Sequence, residues 1–217
     1  NLVVGDSTTF SLEPTDVDSS LEEIGSISDA VHRRISVSSL YRSVGTNASN
    51  LNIDNRTVTI SGTTATFSGS MPNTIGVGDV LQYQVAAAYY LAFIHERTSD
   101  TAYTVKTANG ATPQAAAAGT SVSVYRAYTS LFNWEAQDEN DSINDAVENF
   151  DTSTDLVAAN AVMNVACYND GADTSMTTID GWTTGASTYL RIFSPTVPTE
   201  VGVSQRHTGV AGTGYRI

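Results

Sequence analysis

Cationic side chains are scarce in this sequence. Its 217 residues include ten Lys and Arg residues, of which only Lys106 is a lysine, against 23 Asp and Glu residues, and the formal net charge is −13. Phosphate groups are bound by clustered Lys and Arg side chains, so this balance argues against a nucleic-acid partner. It argues in the same way against binding to the anionic face of a cytoplasmic membrane.

Cysteine and long apolar runs are also scarce. The one cysteine, Cys167, lies in the apolar run "VMNVACY" and is predicted to be a small buried hydrophobic residue. A single cysteine cannot form an internal disulfide, so an exported chain would depend on its core for stability. The longest apolar run, residues 85–94, is about half as long as a membrane-spanning helix, and no membrane span is predicted.

Ser and Thr dominate the polar residues, since only 15% of all residues are charged. Thr suits the half-exposed surface of a sheet, so the composition favours strands. Acidic, lysine-poor, Thr-rich chains are common among exported surface proteins. The sequence begins at Asn1 with neither an initiator Met nor a signal peptide, which we interpret as a processed terminus or the start of a fragment. An extracellular or cell-surface location is predicted, with a virion as the alternative.

The first two of three segments are predicted from residue patterning. Residues 1–36 should form a strand around Val4, Phe10 and Leu12, followed by an acidic linker or a short, broken helix. Residues 37–128 carry the short, evenly spaced strands of a small antiparallel barrel or sandwich. These strands are "RTVTISG", "TATFSGS", "DVLQYQV", "YLAFIHER", "AYTVKTA" and "SVSVYRA". Between them, Asn109-Gly110 predicts a tight turn and "ATPQAAAAGT" predicts a loop.

In the third segment, residues 129–217, the spacing of the apolar residues changes from that of strands to that of a helix. Leu131 and Trp134 share a helical face, so two short helices, or one helix and a turn, are predicted for residues 129–150. Strand patterns return after residue 150 with polar links of irregular length between them. These strand patterns are "VMNVACY", "TTIDGW", "TYLRIFSP" and "YRI".

Three stretches of this segment carry a family resemblance: "YTSLFNWEA", "DGWTTGASTYLRIFSP" and "SQRHTG…GTGYRI". They resemble the opening region of large right-handed parallel β-helix-repeat surface proteins of unknown function, found in uncultivated bacteria and in phage-like particles. The preceding "TVTISGTTATFSG" is similar to the small β domain that often comes before the solenoid in that family. The resemblance covers about residues 40–217. It implies that the 129–150 helices cap a β-helix whose first coils are residues 151–217, with more coils following in the family.

Catalytic motifs are incomplete in this sequence. "FIHERTSD" begins like a zinc-protease helix, but Ser99 stands where the second histidine ligand should be, and the pattern around His95 is that of a strand. "GVGDVL" has Leu81 where a dinucleotide fingerprint needs its third glycine. The histidines His32, His95 and His207 lie far apart, which disfavours a histidine-based metal site. We therefore predict no enzymatic activity.

One loop is a candidate calcium site. Asp170, Asp173 and Asp180 lie among small residues in "YNDGADTSMTTIDG", and loop carboxylates and carbonyls are ligands that Ca²⁺ prefers. The spacing does not match an EF-hand, so a solvated acidic loop is the alternative. No other cofactor is predicted.

The predicted function is that of an extracellular structural or surface-assembly protein: a component of a filament, a surface layer or an adhesin. The alternatives are the entry region of a β-helix polysaccharide-active enzyme, with Asp180 and Arg191 on its active face, and a phage fibre or spike subunit. Carbohydrate is a candidate partner, because several Tyr side chains on the predicted strands could line a sugar-binding face. Half-buried packing of these Tyr side chains is the alternative.

The N-terminal strand is predicted to mediate assembly. Backbone donors and acceptors of a lone strand need partners, and an exposed sheet edge on a neighbouring copy can supply them. Val4, Phe10 and Leu12 would then fill pockets on that neighbour, and the repeated contact would give a homo-oligomer or a filament. The alternative is that the strand folds back onto its own β domain.

Overall fold

The computed structural model describes residues 2–4, 10–12 and 36–217, and the chain divides into two compact units, residues 1–36 and 37–217. In the first unit, β1 (Leu2–Val4) pairs antiparallel with β2 (Phe10–Leu12). The one strand predicted around Val4, Phe10 and Leu12 is therefore observed as two short strands that pair with each other. The predicted helix that follows lies outside the described residues.

Six antiparallel strands in the second unit close into a barrel, in the order β4-β5-β8-β7-β6-β9. This confirms the prediction of a mainly β chain with a small antiparallel β domain, in its barrel form. Closure pairs each strand on both sides, which removes the open edges that a flat sheet of this size would have. The strands are β4 (Thr57–Ser61), β5 (Thr64–Phe67), β6 (Val80–Val85), β7 (Ala88–Arg97), β8 (Ala102–Lys106) and β9 (Ala116–Tyr125).

The interior of the barrel is filled by every second side chain along the strands. On β4 and β5, every second side chain is buried, including Ile60 and Phe67, while the residues between them face outward. This is the period of two that the sequence pattern predicted. β9 begins within the alanine-rich stretch predicted to be a loop, and Gly119 takes a φ of +84° inside it. Alanine has low strand propensity, so the pairing of β9 with its neighbours, rather than local preference, makes this stretch a strand.

A three-stranded parallel sheet forms the second part of the same unit. Its strands are β3 (Ser38–Val44), β10 (Ala161–Cys167) and β11 (Leu190–Phe193), in the order β11-β10-β3. β3 was not predicted as a strand, and it precedes the barrel in the chain while pairing with β10, which follows the barrel. Residues 37–128 and 129–217 therefore both contribute strands to this sheet.

Both faces of the parallel sheet are covered by apolar side chains. Tyr41, Ala166 and Phe193 pack with the barrel core, whereas Leu40 and Met163 belong to a second cluster with the outward-facing Phe93 of the barrel. Burial on both faces is typical of parallel sheets and explains the nearly continuous apolar run of β10. Cys167 is buried in the second cluster, as predicted.

One α-helix, α1 (Leu131–Ala136), is present in the described residues. Ser130 caps it by accepting a hydrogen bond from the Asn133 N–H at 3.0 Å, and Leu131 and Trp134 are buried, as their spacing predicted. Turns follow up to residue 150 in place of a second helix. Within the part of the chain that the structure describes, no helix is long and apolar enough to cross a membrane.

The last predicted strands are only partly formed. "TTIDGW" and "YRI" contain no strand; Thr183, one residue after "TTIDGW", makes a single parallel bridge with Asp155, and Arg216 makes one with Ala172. Sustained ladders need consecutive paired residues, which the Gly-, Thr- and Ser-rich links around these positions do not provide.

The hairpin between β6 and β7 turns on two alanines with unusual backbone geometry. Ala86 and Ala87 have φ values of +49° and +67°, and Val85 pairs with Ala88 across them. Positive φ at both central residues defines a type I′ turn, for which Asn-Gly is the usual sequence. An L-residue in this region costs roughly 1–2 kcal/mol.

We predict that replacing this pair by Asn-Gly stabilises the protein. The double variant Ala86→Asn/Ala87→Gly should raise the free energy of unfolding by about 1 kcal/mol, because both new residues tolerate positive φ. Urea unfolding measures the change. The control Ala117→Gly, in the extended part of β9, should lower stability by about 0.5–1 kcal/mol. Equal effects of the two changes would contradict the assignment of strain to the turn.

Candidate functional site

Arg126, directly after β9, is a fully buried arginine at the junction of the barrel and the parallel sheet. Its Nε and Nη2 donate to the two carboxylate oxygens of Asp170 at 2.7 and 2.9 Å, and its Nη1 donates to both oxygens of Asp79 at 2.8 Å. The guanidinium also lies 3.6 Å from the ring centroid of Tyr168. Asp79 precedes β6 and Asp170 follows β10, so this one side chain connects three separate segments.

The charge of Arg126 is stabilised by these partners. Burial by itself lowers the pKa of an arginine, but the carboxylates of Asp79 and Asp170 raise the pKa of Arg126 well above its ordinary value. Asp79, which is fully buried, also accepts a hydrogen bond from the Gly76 N–H at 2.9 Å. All of these groups are satisfied within the protein, so they act as a structural network.

A second buried arginine, Arg42 on β3, makes a similar connection. Its Nε donates to Asp151 at 2.7 Å and its Nη2 donates to the carbonyl of Ala108 at 2.8 Å. The Tyr128 hydroxyl donates to the same Asp151 carboxylate at 2.7 Å. The Arg42 guanidinium lies 4.3 Å from the ring centroid of Phe93, on the outside of the barrel. Arg42 thus joins β3 to Asp151 by an ion pair and to the barrel side by the Ala108 hydrogen bond and the Phe93 ring.

The three candidate calcium ligands have different surroundings. The Asp170 carboxylate is held by Arg126. The Asp173 carboxylate accepts hydrogen bonds from the Leu131 N–H at 2.8 Å and the Tyr215 hydroxyl at 2.7 Å, while the exposed Asp180 donates its N–H to Glu135. Across residues 36–217, no group of three or more His, Cys, Asp or Glu side chains is arranged to hold a metal ion. The three carboxylates are therefore not brought together here.

His95 lies on β7, as the strand pattern predicted. The pairing of β7 with β8 shifts register between Ile94 and Glu96, so His95 occupies a β-bulge. Its ring packs edge-on against Tyr41, with 5.1 Å between centroids. Burial, together with the nearby charges of Lys106 and Arg42, lowers the pKa of His95 to about 3, so the imidazole is neutral at physiological pH.

The edge of the parallel sheet is the candidate assembly site. In the described part of the chain, β11 pairs with β10 on one side and has no strand on the other. Two apolar side chains on or beside β11, Tyr189 and Ile192, are 47% and 40% exposed. An accessible edge with apolar side chains is a template for a further strand. The sequence alone could not identify this edge, because strand order depends on long-range pairing.

The predicted assembly residues lie on the N-terminal hairpin. Val4 pairs with Phe10, and Leu2 pairs with Leu12. The backbone donors and acceptors of β1 and β2 are thus paired in part within this hairpin. The outer edges of the two strands are where another sheet edge would have to pair.

Comparisons of the chain with protein-family models, with curated proteins and with solved structures found no match.

We predict that Arg126→Met destabilises the protein by about 3–5 kcal/mol, because it leaves the buried Asp79 carboxylate without its countercharge. The control is Arg56→Gln, which removes a surface pair in which the Arg56 Nη2 lies 3.6 Å from Asp54. This control should cost less than about 1 kcal/mol. Chemical unfolding of both variants gives the difference, and a loss of below about 1 kcal/mol for Arg126→Met would contradict the structural role.

A pH dependence is predicted for Asp173. Burial alone raises the pKa of its carboxyl, but hydrogen bonds from Leu131, Tyr215 and Ser175 lower it below the ordinary value of 3.8. A carboxyl whose pKa is lower in the folded state stabilises the fold above its ordinary pKa, and this contribution is lost as the pH falls through the folded pKa.

Asp173→Asn should therefore cost about 1–3 kcal/mol at pH 7, where an amide places a donor against existing donors, and less at acid pH. Urea unfolding between pH 7 and acid pH measures this. The exposed Asp141→Asn serves as the charge-matched control. A cost for Asp173→Asn that is equal at all pH values would contradict the assignment.

Proposed function

We propose that this protein is a non-catalytic structural component of an extracellular assembly, such as a filament, a surface layer or an adhesin. The observation that carries the proposal is the parallel sheet with β11 at its accessible edge. Copies join when a strand of one chain adds to that edge on another.

The pairing of the parallel sheet supports a solenoid-like construction. β3, β10 and β11 are neighbours in the order in which they occur along the chain. Asp155 pairs in parallel with Thr183, and Met163 with Leu190, so the partners are 28 and 27 residues apart. A third parallel bridge in this region joins Ala172 to Arg216, 44 residues further along. All three offsets lie within the roughly 20–45 residues that one repeat of a solenoid spans. This supports the proposal that residues 151–217 form the first coils of a β-helix.

An end of such a sheet must be covered or paired. Ile192 on β11 is the pairing partner of the fully buried Val165 on β10. Ile192 is nevertheless partly exposed, because no further strand lies beyond β11 within residues 36–217. A strand from a second copy would cover it and contribute about 1.5–3 kcal/mol per fully buried aliphatic side chain.

We propose that the N-terminal hairpin, formed by β1 and β2, donates the added strand. It carries Val4, Phe10 and Leu12 in a unit separate from the barrel and sheet. Strand addition of this kind uses backbone hydrogen bonds for affinity and side-chain pockets for specificity. The contact repeats head to tail without closing, which gives a filament.

Ile192→Lys tests the proposal. Lysine on an edge strand opposes pairing with another strand, so this variant should stay monomeric at concentrations where the wild type assembles. Ile53→Lys is the matched control, since Ile53 is 74% exposed and lies outside the parallel sheet. Analytical ultracentrifugation and electron microscopy report the assembly state, and thermal unfolding reports the fold.

Deletion of residues 1–14 should abolish assembly in the same way. A wild type that is monomeric at all concentrations, or an Ile192→Lys variant that assembles as the wild type does, would show that the β11 edge is not the contact. Assembly that persists in the truncated chain but fails in Ile192→Lys would keep the edge and reject the hairpin as its donor.

A further inference from the structure

A polar groove of about 540 Å³ lies on the outer face of the barrel. Its floor crosses β9, β6 and β7, because Ser123 pairs with Gln82 and Gln84 pairs with Tyr89 on adjacent strands. Asn55 and Arg56, at the end of the loop before β4, line it as well. The groove is lined by strands other than β11, so the inference drawn from it does not rest on the proposed assembly.

The chemistry of the lining suits a ligand that both donates and accepts hydrogen bonds. Amides of Asn and Gln offer a carbonyl acceptor and an NH₂ donor on one planar group, and hydroxyls of Ser do both through one atom. The Oε1 of Gln82 accepts the N–H of Asn144 at 2.7 Å, which fixes this amide within the groove. Sugar hydroxyls have the same dual character, and the ring of Tyr89 offers an apolar face for a pyranose ring.

The charges around the groove favour an uncharged ligand. Among residues 36–217, no Asp or Glu side chain lines it, and Arg56 is the one cationic side chain that does; its Nη2 lies 3.6 Å from the Asp54 carboxylate. A polyanion would also approach a chain with a net charge of −13. Because carboxylate pairs that hydrolyse glycosidic bonds need Asp or Glu in the site, this lining is suited to binding without cleavage.

Barrel closure argues against an extended peptide as the ligand. Peptides in extended form bind to sheets mainly by adding a strand to an open edge. The strands under the groove, β9, β6 and β7, are each paired on both sides, so their backbone groups are already used. Recognition at this surface must come from side chains.

The strained β6–β7 turn lies at the end of the same groove. Ala86 and Ala87 separate Val85 from Ala88, next to the groove residues Gln84 and Tyr89. Strain of this kind is concentrated at functional sites. Tyr89 also lines a second groove of about 440 Å³.

We propose that this groove binds a neutral oligosaccharide. The Tyr89 ring stacks against one sugar ring, and the amides of Gln82, Gln84 and Asn55 hydrogen-bond to its hydroxyls. The groove thus gives the protein a carbohydrate-binding function.

Titration calorimetry with maltohexaose, cellohexaose, xylohexaose and mannohexaose tests the inference, with polygalacturonate as the anionic comparison. At least one neutral oligosaccharide should bind. Tyr89→Ala should weaken that binding about tenfold and Gln84→Ala about threefold to tenfold. Gln84 is exposed and its replacement does not disturb the core. The control Thr66→Ala, on the exposed face of β5, should leave affinity unchanged.

Three results would overturn the proposal. The first is the failure of all four neutral oligosaccharides to bind at millimolar concentration. The second is unchanged affinity in both Tyr89→Ala and Gln84→Ala when their thermal unfolding matches the wild type. The third is binding of polygalacturonate alone. Because Ile192→Lys leaves the groove intact, binding in that variant shows the groove acting independently of assembly.

Discussion

The rest of the structure depends on the buried guanidinium of Arg126. Taking this charge out of water costs several kcal/mol, which is offset only because Asp79 and Asp170 both pair with it and Tyr168 covers its face. The two carboxylates come from opposite sides of the junction between barrel and sheet. Arg126 can pair with both carboxylates only when the barrel and the parallel sheet are folded and in contact. The ion network therefore links the stability of the two parts.

The barrel interrupts the parallel sheet in the chain without separating from it in space. β3 precedes the barrel and β10 follows it, yet the two strands pair over seven residues. At the junction, Gly78 approaches the β3 backbone so closely that a Cβ would lie 2.3 Å from the carbonyl carbon of Arg42. The Arg42 side chain in turn donates a hydrogen bond from its Nε to the Asp151 carboxylate. Contacts of this density explain why residues 37–217 form one compact unit.

The two kinds of sheet leave two different surfaces for function. The closed barrel has no strand edges, so its outer face can act only through side chains, as in the groove around Tyr89. The parallel sheet has backbone groups accessible along β11, where the exposed Ile192 lies. The two proposals thus use separate elements: side-chain recognition uses the closed barrel, and strand addition uses the parallel sheet, because only the parallel sheet keeps an unpaired strand edge in the described residues.

Local pattern in the sequence determined most of the barrel strands, the turn at Asn109-Gly110 and the buried position of Cys167, because alternation and the positive φ of Gly110 act over a few positions. The start of β9 is the exception, because its pairing partners make it a strand. The tertiary structure alone decided the rest. β3 reads as a polar stretch and becomes a strand through pairing with β10, 123 residues further along from Ser38 to Ala161. Arg126 finds partners 47 and 44 residues away, and the groove joins side chains from three strands. Such contacts depend on long-range pairing in three dimensions, which no local periodicity encodes.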